Sequence, residues 1–154
     1  MMLNDDQYMA RAMQLAQEAA DAGEVPVGAV ICDPRTGNVV GEGRNGPIKL
    51  HDPTAHAEIV AIRSAAASLG NYRLTGLSMY VTLEPCAMCA GAISFARIGR
   101  LVFAAPDQKG GAVIHGPKFF DQPTCHWRPE IGKDTAFAAE AGIMLRQFFA
   151  SKRK

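Results

Sequence analysis

Met9, Met13, Ala16 and Ala20 recur at helical spacing, with Ala12 and Ala19 beside them, which predicts an amphipathic helix. Asn4 starts it as an N-cap, Gln7 completes a capping box, and Gly23 stops it. Residues 27–32 form an apolar run with the length of a buried strand. Residues 33–38 are turn chemistry, and 39–43 return as a second strand, giving a hairpin behind the helix. Asn45-Gly46-Pro47 breaks that strand, and a polar loop runs to Asp52-Pro53-Thr54. Thr54 is the expected N-cap of a helix over 55–69, with Ile59, Ile62, Arg63 and Ala66 on adjacent turns. Residues 78–83 are a third strand, Pro85 opens a helix to about Ala96, and 100–105 are a fourth strand. That strand–helix–strand unit implies parallel pairing.

Gly110-Gly111 and Pro117 make 106–129 a long loop, with Phe119-Phe120 as a short packed turn. A loop of that length inside a compact domain tends to carry function. Pro129-Glu130-Ile131 adds a short edge strand, and 135–152 a final helix with Phe137, Ala141, Leu145 and Phe148 on one face. The order αββαβαβ plus a terminal helix predicts an α/β fold, a mixed sheet covered by helices on both faces. With no repeats, low-complexity tracts or linkers, residues 1–154 read as a single domain.

Nearly half the residues are apolar, enough for a core without staples, yet no run is long enough to cross a bilayer. The acidic start, Asn4-Asp5-Asp6, is unlike a signal peptide, so a cytoplasmic protein is expected. Four cysteines in a reducing compartment are metal ligands or buried thiols rather than disulfides. Cys32 lies in an apolar run and reads as a buried thiol, and Cys125-His126 has no further ligands nearby to make a metal site. The net charge of +1 identifies no polyanionic partner.

The chemistry lies in two short motifs, His56-Ala57-Glu58 and Pro85-Cys86-Ala87-Met88-Cys89. An imidazole and two sulfurs are zinc ligands, and three of them leave a fourth tetrahedral position open for water. Cys86 and Cys89 are three residues apart and share one side of a helical turn. Both motifs fall at expected helix starts, where partial positive charge favours thiolates. Glu58 shares a cavity with His56 only at the tip of its helix, since positions i and i+2 otherwise point apart. There it serves as a proton carrier beside the metal, which suits hydrolysis of an amidine-like C–NH₂ in a nucleobase. A structural zinc ribbon would need a second Cys/His pair, and Cys125-His126 is a poor match.

At these residues the chain resembles the zinc-dependent nucleoside and nucleobase deaminases, and most strongly the bacterial tRNA-specific adenosine deaminases. The likeness includes Glu24-Val25-Pro26-Val27-Gly28, Asn45, residues 51–59, Asn71-Tyr72-Arg73-Leu74, the dense block 80–93, Asp107, Lys109 and Phe148-Phe149. It implies a three-layer α/β/α cytidine deaminase-like fold with about five strands. It implies hydrolytic deamination of the wobble adenosine to inosine in a tRNA anticodon loop, one Zn²⁺ per subunit and a homodimer without membrane attachment. His56, Cys86 and Cys89 would bind zinc, and Glu58 would shuttle protons. Asn45 would hydrogen-bond the base, Val27 would pack against it, and the Ala57 backbone would orient it. Asp107 and Lys109 would meet flanking nucleotides, with Phe148 and Arg153 on a terminal helix that also approaches RNA. The tRNA enzyme of the family acts on an arginine tRNA.

Arg44 stands before Asn45 where such proteins often carry an aromatic residue, and 110–127 departs from the best-known members. A free guanine or cytosine deaminase of nucleotide salvage is the alternative. Thr82-Leu83-Glu84-Pro85 looks like the tRNA enzymes, whereas guanine deaminases tend to carry Ser-Cys-Glu-Pro. An inactive RNA-binding subunit would typically lack the glutamate that stands here as Glu58.

Overall fold

Strands β1 (Gly28–Cys32), β2 (Val39–Arg44), β3 (Ser78–Leu83), β4 (Arg100–Ala105) and β5 (Glu130–Lys133) form one sheet in the order β2-β1-β3-β4-β5. The computed structural model of the chain describes residues 3–134 and 136–152. β1 runs antiparallel to both β2 and β3, while β3, β4 and β5 are parallel, so the sheet is mixed as expected. Alternation sorts the strand residues between two faces. Ala29, Ile31, Met79, Val81, Leu101 and Phe103 face α3 (Ala57–Leu69) and α4 (Ala87–Ala96). Val30, Cys32, Tyr80, Val102 and Ala104 face α1 (Asp5–Asp21) and α5 (Ala138–Lys152). Asn4 caps α1 in the expected box with Gln7. Cys32 is a buried thiol, pushed up to about 11 chiefly by its burial.

The third helix turns mainly alanines toward the sheet. Its buried residues are Ala57, Glu58, Ala61 and Ala65, while Ile59 is only half-buried and Arg63 is exposed. The reason lies in β2, where Gly41 and Gly43 face the helix. A Cβ on Gly43 would stand 2.3 Å from the Ala57 carbonyl and 2.5 Å from the Ala61 nitrogen. Glycine opposite alanine lets the helix backbone press directly on the strand, so large side chains have no place between them. The helix also starts later than expected. Thr54 is not its N-cap: its hydroxyl and N–H both donate to Asp52 Oδ1, at 2.7 and 2.9 Å. His56 takes the cap position instead. A short helix, α2 (Pro47–Leu50), interrupts the expected polar loop, with Ile48 N–H and Lys49 N–H bonded to Glu24.

The stretch after β4 is organised by a carboxylate. Glu84 is 2% exposed. One of its oxygens, Oε2, accepts from the N–H groups of Val113, Ile114 and His115 at 2.9–3.1 Å. The other, Oε1, accepts from Asp107 N–H at 3.0 Å and lies 2.7 Å from His115 Nδ1. Burial alone would raise its pKa, but these donors outweigh that and hold it below the usual carboxylate range. Gly111 is needed here, because a Cβ would meet the carboxyl carbon at 2.4 Å. Phe119-Phe120 forms the expected packed turn, a single 3₁₀ turn over Phe119–Asp121.

Two stability outcomes follow from these contacts. Gly43→Ala is expected to cost about 2 kcal/mol of unfolding free energy through overpacking. Urea denaturation checks this, and a midpoint equal to the parent's would mean that the helix does not press on the strand. Glu84→Ala orphans four backbone N–H groups and is expected to cost about 3 kcal/mol, with faster protease cleavage within 106–116. Unchanged cleavage would show that the loop holds its shape without the carboxylate.

Candidate active site

α3 and α4 each begin on a residue with metal-ligating chemistry. His56 is the N-cap of α3 and Cys86 the N-cap of α4, both extended, and neither spends its side chain on capping its own helix. An ordinary N-cap residue does spend it so. β2 and β3 run in the same direction, so the two helices start at the same sheet edge. There His56 Nδ1 lies 3.6 Å from both Cys86 Sγ and Cys89 Sγ. Zinc bonds of roughly 2.05 Å to nitrogen and roughly 2.3 Å to sulfur put two ligands of a tetrahedron about 3.6 Å apart. The spacing and the donor types therefore fit a zinc ion.

Asn45, at the end of β2, supplies the cap that His56 does not. Its Oδ1 accepts from the Ala57 N–H at 2.7 Å, and its own N–H donates to the Val27 carbonyl at 3.1 Å. With the amide oxygen so engaged, the side-chain NH₂ is the group left for the cavity that Asn45 lines. The Ala57 backbone thus holds Asn45, and Asn45 joins the start of β1 to the start of α3.

The electrostatics suit a cation. The Cys86 thiol is pulled down to about 5, because it accepts from the Cys89 thiol; burial opposes this, and the N–H groups of Cys89 and Met88 and the nearby His56 assist. Cys89 is pushed well up by that same sharing and by burial. A cation bound between the two sulfurs would favour both as thiolates and displace a proton from Cys89. Burial pushes the Glu58 carboxyl up to about 7, with the negative Cys86 adding to it and its own backbone N–H and His56 opposing.

Above this floor lies a cavity of about 600 Å³ lined by Val25, Val27, Asn45, His56, Glu58, Leu83, Glu84, Cys86, Asp107 and Lys109, among others. The structure thus gathers the expected Val27, Asn45, His56, Glu58, Cys86, Asp107 and Lys109 around one space. Cys89 is fully buried beneath, and Ala57 is reached through Asn45. Asp107 Oδ1 accepts from Lys109 N–H and Gly110 N–H at 3.1 and 2.9 Å, which fixes the turn that presents Lys109. Phe148 does not line the cavity. It meets Phe149 edge-on at 5.5 Å and lies under Lys152 Nζ, while Phe149 reaches the cavity with Gly142, Leu145 and Arg146. Arg153 lies outside the described residues.

Sequence reasoning gave Glu84 no role beyond its place in the Thr82-Leu83-Glu84-Pro85 motif, gave Phe149 no site role and passed over Arg146. Residues 142, 145, 146 and 149 repeat at helical spacing, but a glycine and an arginine in that stripe disguise it as a solvent face. Glu84 carried no local sign, since its partners lie 23 or more positions away. Cys125, beside His126, donates to the Trp127 carbonyl at 3.1 Å.

Residues 2–105 match the cytidine and deoxycytidylate deaminase zinc-binding region. The chain is 50% identical over 146 residues to a tRNA-specific adenosine deaminase of Agrobacterium fabrum, covering 95% of this chain and 94% of that protein. Among solved structures, a tRNA:A34 deaminase studied for A-to-I editing at the wobble position superposes with a TM-score of 0.87 at 48% identity, covering 91% of this chain and 99% of that one. Guanine deaminase from Bacillus subtilis superposes with a TM-score of 0.66 at 33% identity, covering 99% of this chain and 96% of that one. With its ligand trio, buried glutamate and strand order in place, this chain belongs to the cytidine and deoxycytidylate deaminase family, in the branch that holds the tRNA-specific adenosine deaminases.

Proposed function

We propose that this protein hydrolytically deaminates the wobble adenosine of a tRNA anticodon loop, an arginine tRNA by the family resemblance, to inosine. The observation that carries the reading is the meeting of His56, Cys86 and Cys89 at ligand spacing beside buried Glu58, under a cavity of about 600 Å³. His56, Cys86 and Cys89 hold one zinc ion per subunit. Zinc supplies the Lewis acidity that makes water nucleophilic near neutral pH.

Glu58 takes the proton from the attacking water. It delivers protons to N1 of the adenine and to the departing amine at C6, so that adenosine and water give inosine and ammonia. A carboxyl near neutrality suits a group that must both accept and return a proton. The Asn45 NH₂ donates to an acceptor on the base, the Ala57 N–H holds Asn45 in that orientation, and Val27 supplies an apolar wall. The base must be splayed from its stack to enter. Asp107 and Lys109 meet the flanking nucleotides, and α5, with Phe148 and then Arg153 beyond the described residues, approaches the RNA. The 154 residues act as one deaminase domain in the cytoplasm. Among the described residues no helix is long and apolar enough to cross a membrane.

A second copy of the chain covers the outer face of α4. Phe95 there is 80% exposed, Met88 is 38% exposed beside the Cys86 ligand, and Tyr72 is 71% exposed next to the groove formed with Ile59 and Ile62. Apolar side chains this open, grouped together, mark an interface.

Zinc-loaded enzyme incubated with an anticodon stem-loop is expected to yield inosine, read as A-to-G on sequencing. Deamination of free guanine or cytosine with none of the stem-loop would favour the nucleobase reading instead. Glu58→Ala is expected to keep its zinc by elemental analysis and to lose about 100-fold or more in rate, whereas His56→Ala loses the metal. Wild-type rates in Glu58→Ala would refute the proton-carrier role. In sedimentation the parent is expected as a dimer and Phe95→Glu as a monomer; a monomeric parent at micromolar concentration would refute the interface.

A further inference from the structure

Nine arginines lie among the described residues, and eight of them have partners. Arg11, Arg35, Arg44, Arg63, Arg100 and Arg128 pair with carboxylates. Arg73 and Arg97 lie over the rings of Tyr72 and Trp127. Arg146 does neither among the described residues, and it is the arginine that lines the active-site cavity. Its Nη1 lies 3.2 Å from where a Cβ on Gly142 would stand, so the guanidinium folds back along α5 over a residue that also lines the cavity. Glycine is unfavourable inside a helix, and here it leaves room for the arginine.

Two acidic neighbours in the cavity are already engaged. Glu84 is surrounded by five donors, and Asp107 Oδ1 accepts from two backbone N–H groups. Glu58 is buried at the floor. The other cation lining the cavity, Lys109, comes from the loop after β4, on a different element from α5. A base that enters this cavity leaves its sugar and the adjoining phosphates at the mouth, because phosphates cannot follow it into a buried space beside a carboxylate. A planar guanidinium fork matches two phosphate oxygens.

We propose that Arg146 binds a backbone phosphate next to the nucleotide whose base occupies the cavity, with Lys109 as a second cation of the same subsite. The proposal rests on the nucleic-acid substrate put forward above. Arg146 here is a binding residue of the substrate backbone and takes no part in the chemistry.

The test is fluorescence anisotropy with a labelled anticodon stem-loop RNA across a salt series, for the parent, Arg146→Ala and Arg146→Lys, alongside inosine formation. Arg146→Ala is expected to weaken binding about ten-fold and to flatten the slope of log affinity against log salt by about 0.7. Its thermal midpoint matches the parent's, and the loss in inosine formation appears as a higher KM for the stem-loop. Arg146→Lys restores the slope but only part of the affinity. Unchanged affinity, or weaker binding with an unchanged salt slope as stacking on a base would give, overturns the proposal. A parent that binds the stem-loop yet makes no inosine refutes the deamination reading while the slope comparison still decides on Arg146. A parent that does not bind refutes both.

Discussion

β2 presents Gly41 and Gly43 to α3, and α3 answers with Ala57, Ala61 and Ala65. With no side chain larger than a methyl group between them, helix and strand have little freedom to slide or tilt. That contact sets where α3 begins. From its first residue follow the Asn45–Ala57 hydrogen bond, the position of the His56 ring and the placement of Glu58 one step inside the helix. Three donor atoms that must meet within a few ångströms need this stiffness, since a helix packed through long side chains would transmit their rotamer freedom to the ligands.

The second support is electrostatic. Two helix N-termini converge on one point, and an uncompensated convergence of that kind is unfavourable without negative charge between them. The chain places two cysteine sulfurs and a carboxyl there, and all three are partly or wholly buried. Glu84 repeats the arrangement one step out: a buried carboxylate whose burial is offset by backbone N–H groups, this time from a loop. Negative charge therefore gathers where His56, Cys86 and Cys89 meet, and the Glu84 carboxylate organises the loop that carries Asp107 and Lys109. They are joined through the short link Glu84-Pro85-Cys86, so a distortion of either is felt by the other.

The elements read most accurately from sequence were those whose ends are set locally. β3, β4 and the end of α4 lie where strand-forming residues meet Glu84-Pro85, Arg97 and the Gly99 turn. The pairing of Cys86 with Cys89 was legible for the same reason, since spacing along one helix turn sets one against the other, and the fold brings His56 to them. The start of α3 was misread because Thr54 has the chemistry of a cap but is drawn off by Asp52, while the N–H to be capped finds Asn45 from another strand. The alanine face of α3 has no signal within the helix itself, because the glycines that select alanine belong to β2. Glu84 and the cavity stripe of α5 were missed because their roles arise from residues distant in sequence. Charge on Arg146 reads as an ordinary solvated side chain until the fold places it on the cavity that Lys109 also lines.

A net charge of +1 gives no field that would draw RNA from a distance. Screening limits surface charges to roughly 8–10 Å in physiological salt, so attraction to a polyanion must come from cations at the point of contact. Most arginines in this chain are tied to carboxylates or laid over aromatic rings, which leaves their charge locally spent. Recognition then depends on the few cations kept unpaired where a phosphate would arrive. If Arg146 and Lys109 take a backbone phosphate as proposed, that contact forms only when a base has turned into the cavity and brought its phosphates to the rim, so binding and base extrusion become one event rather than two.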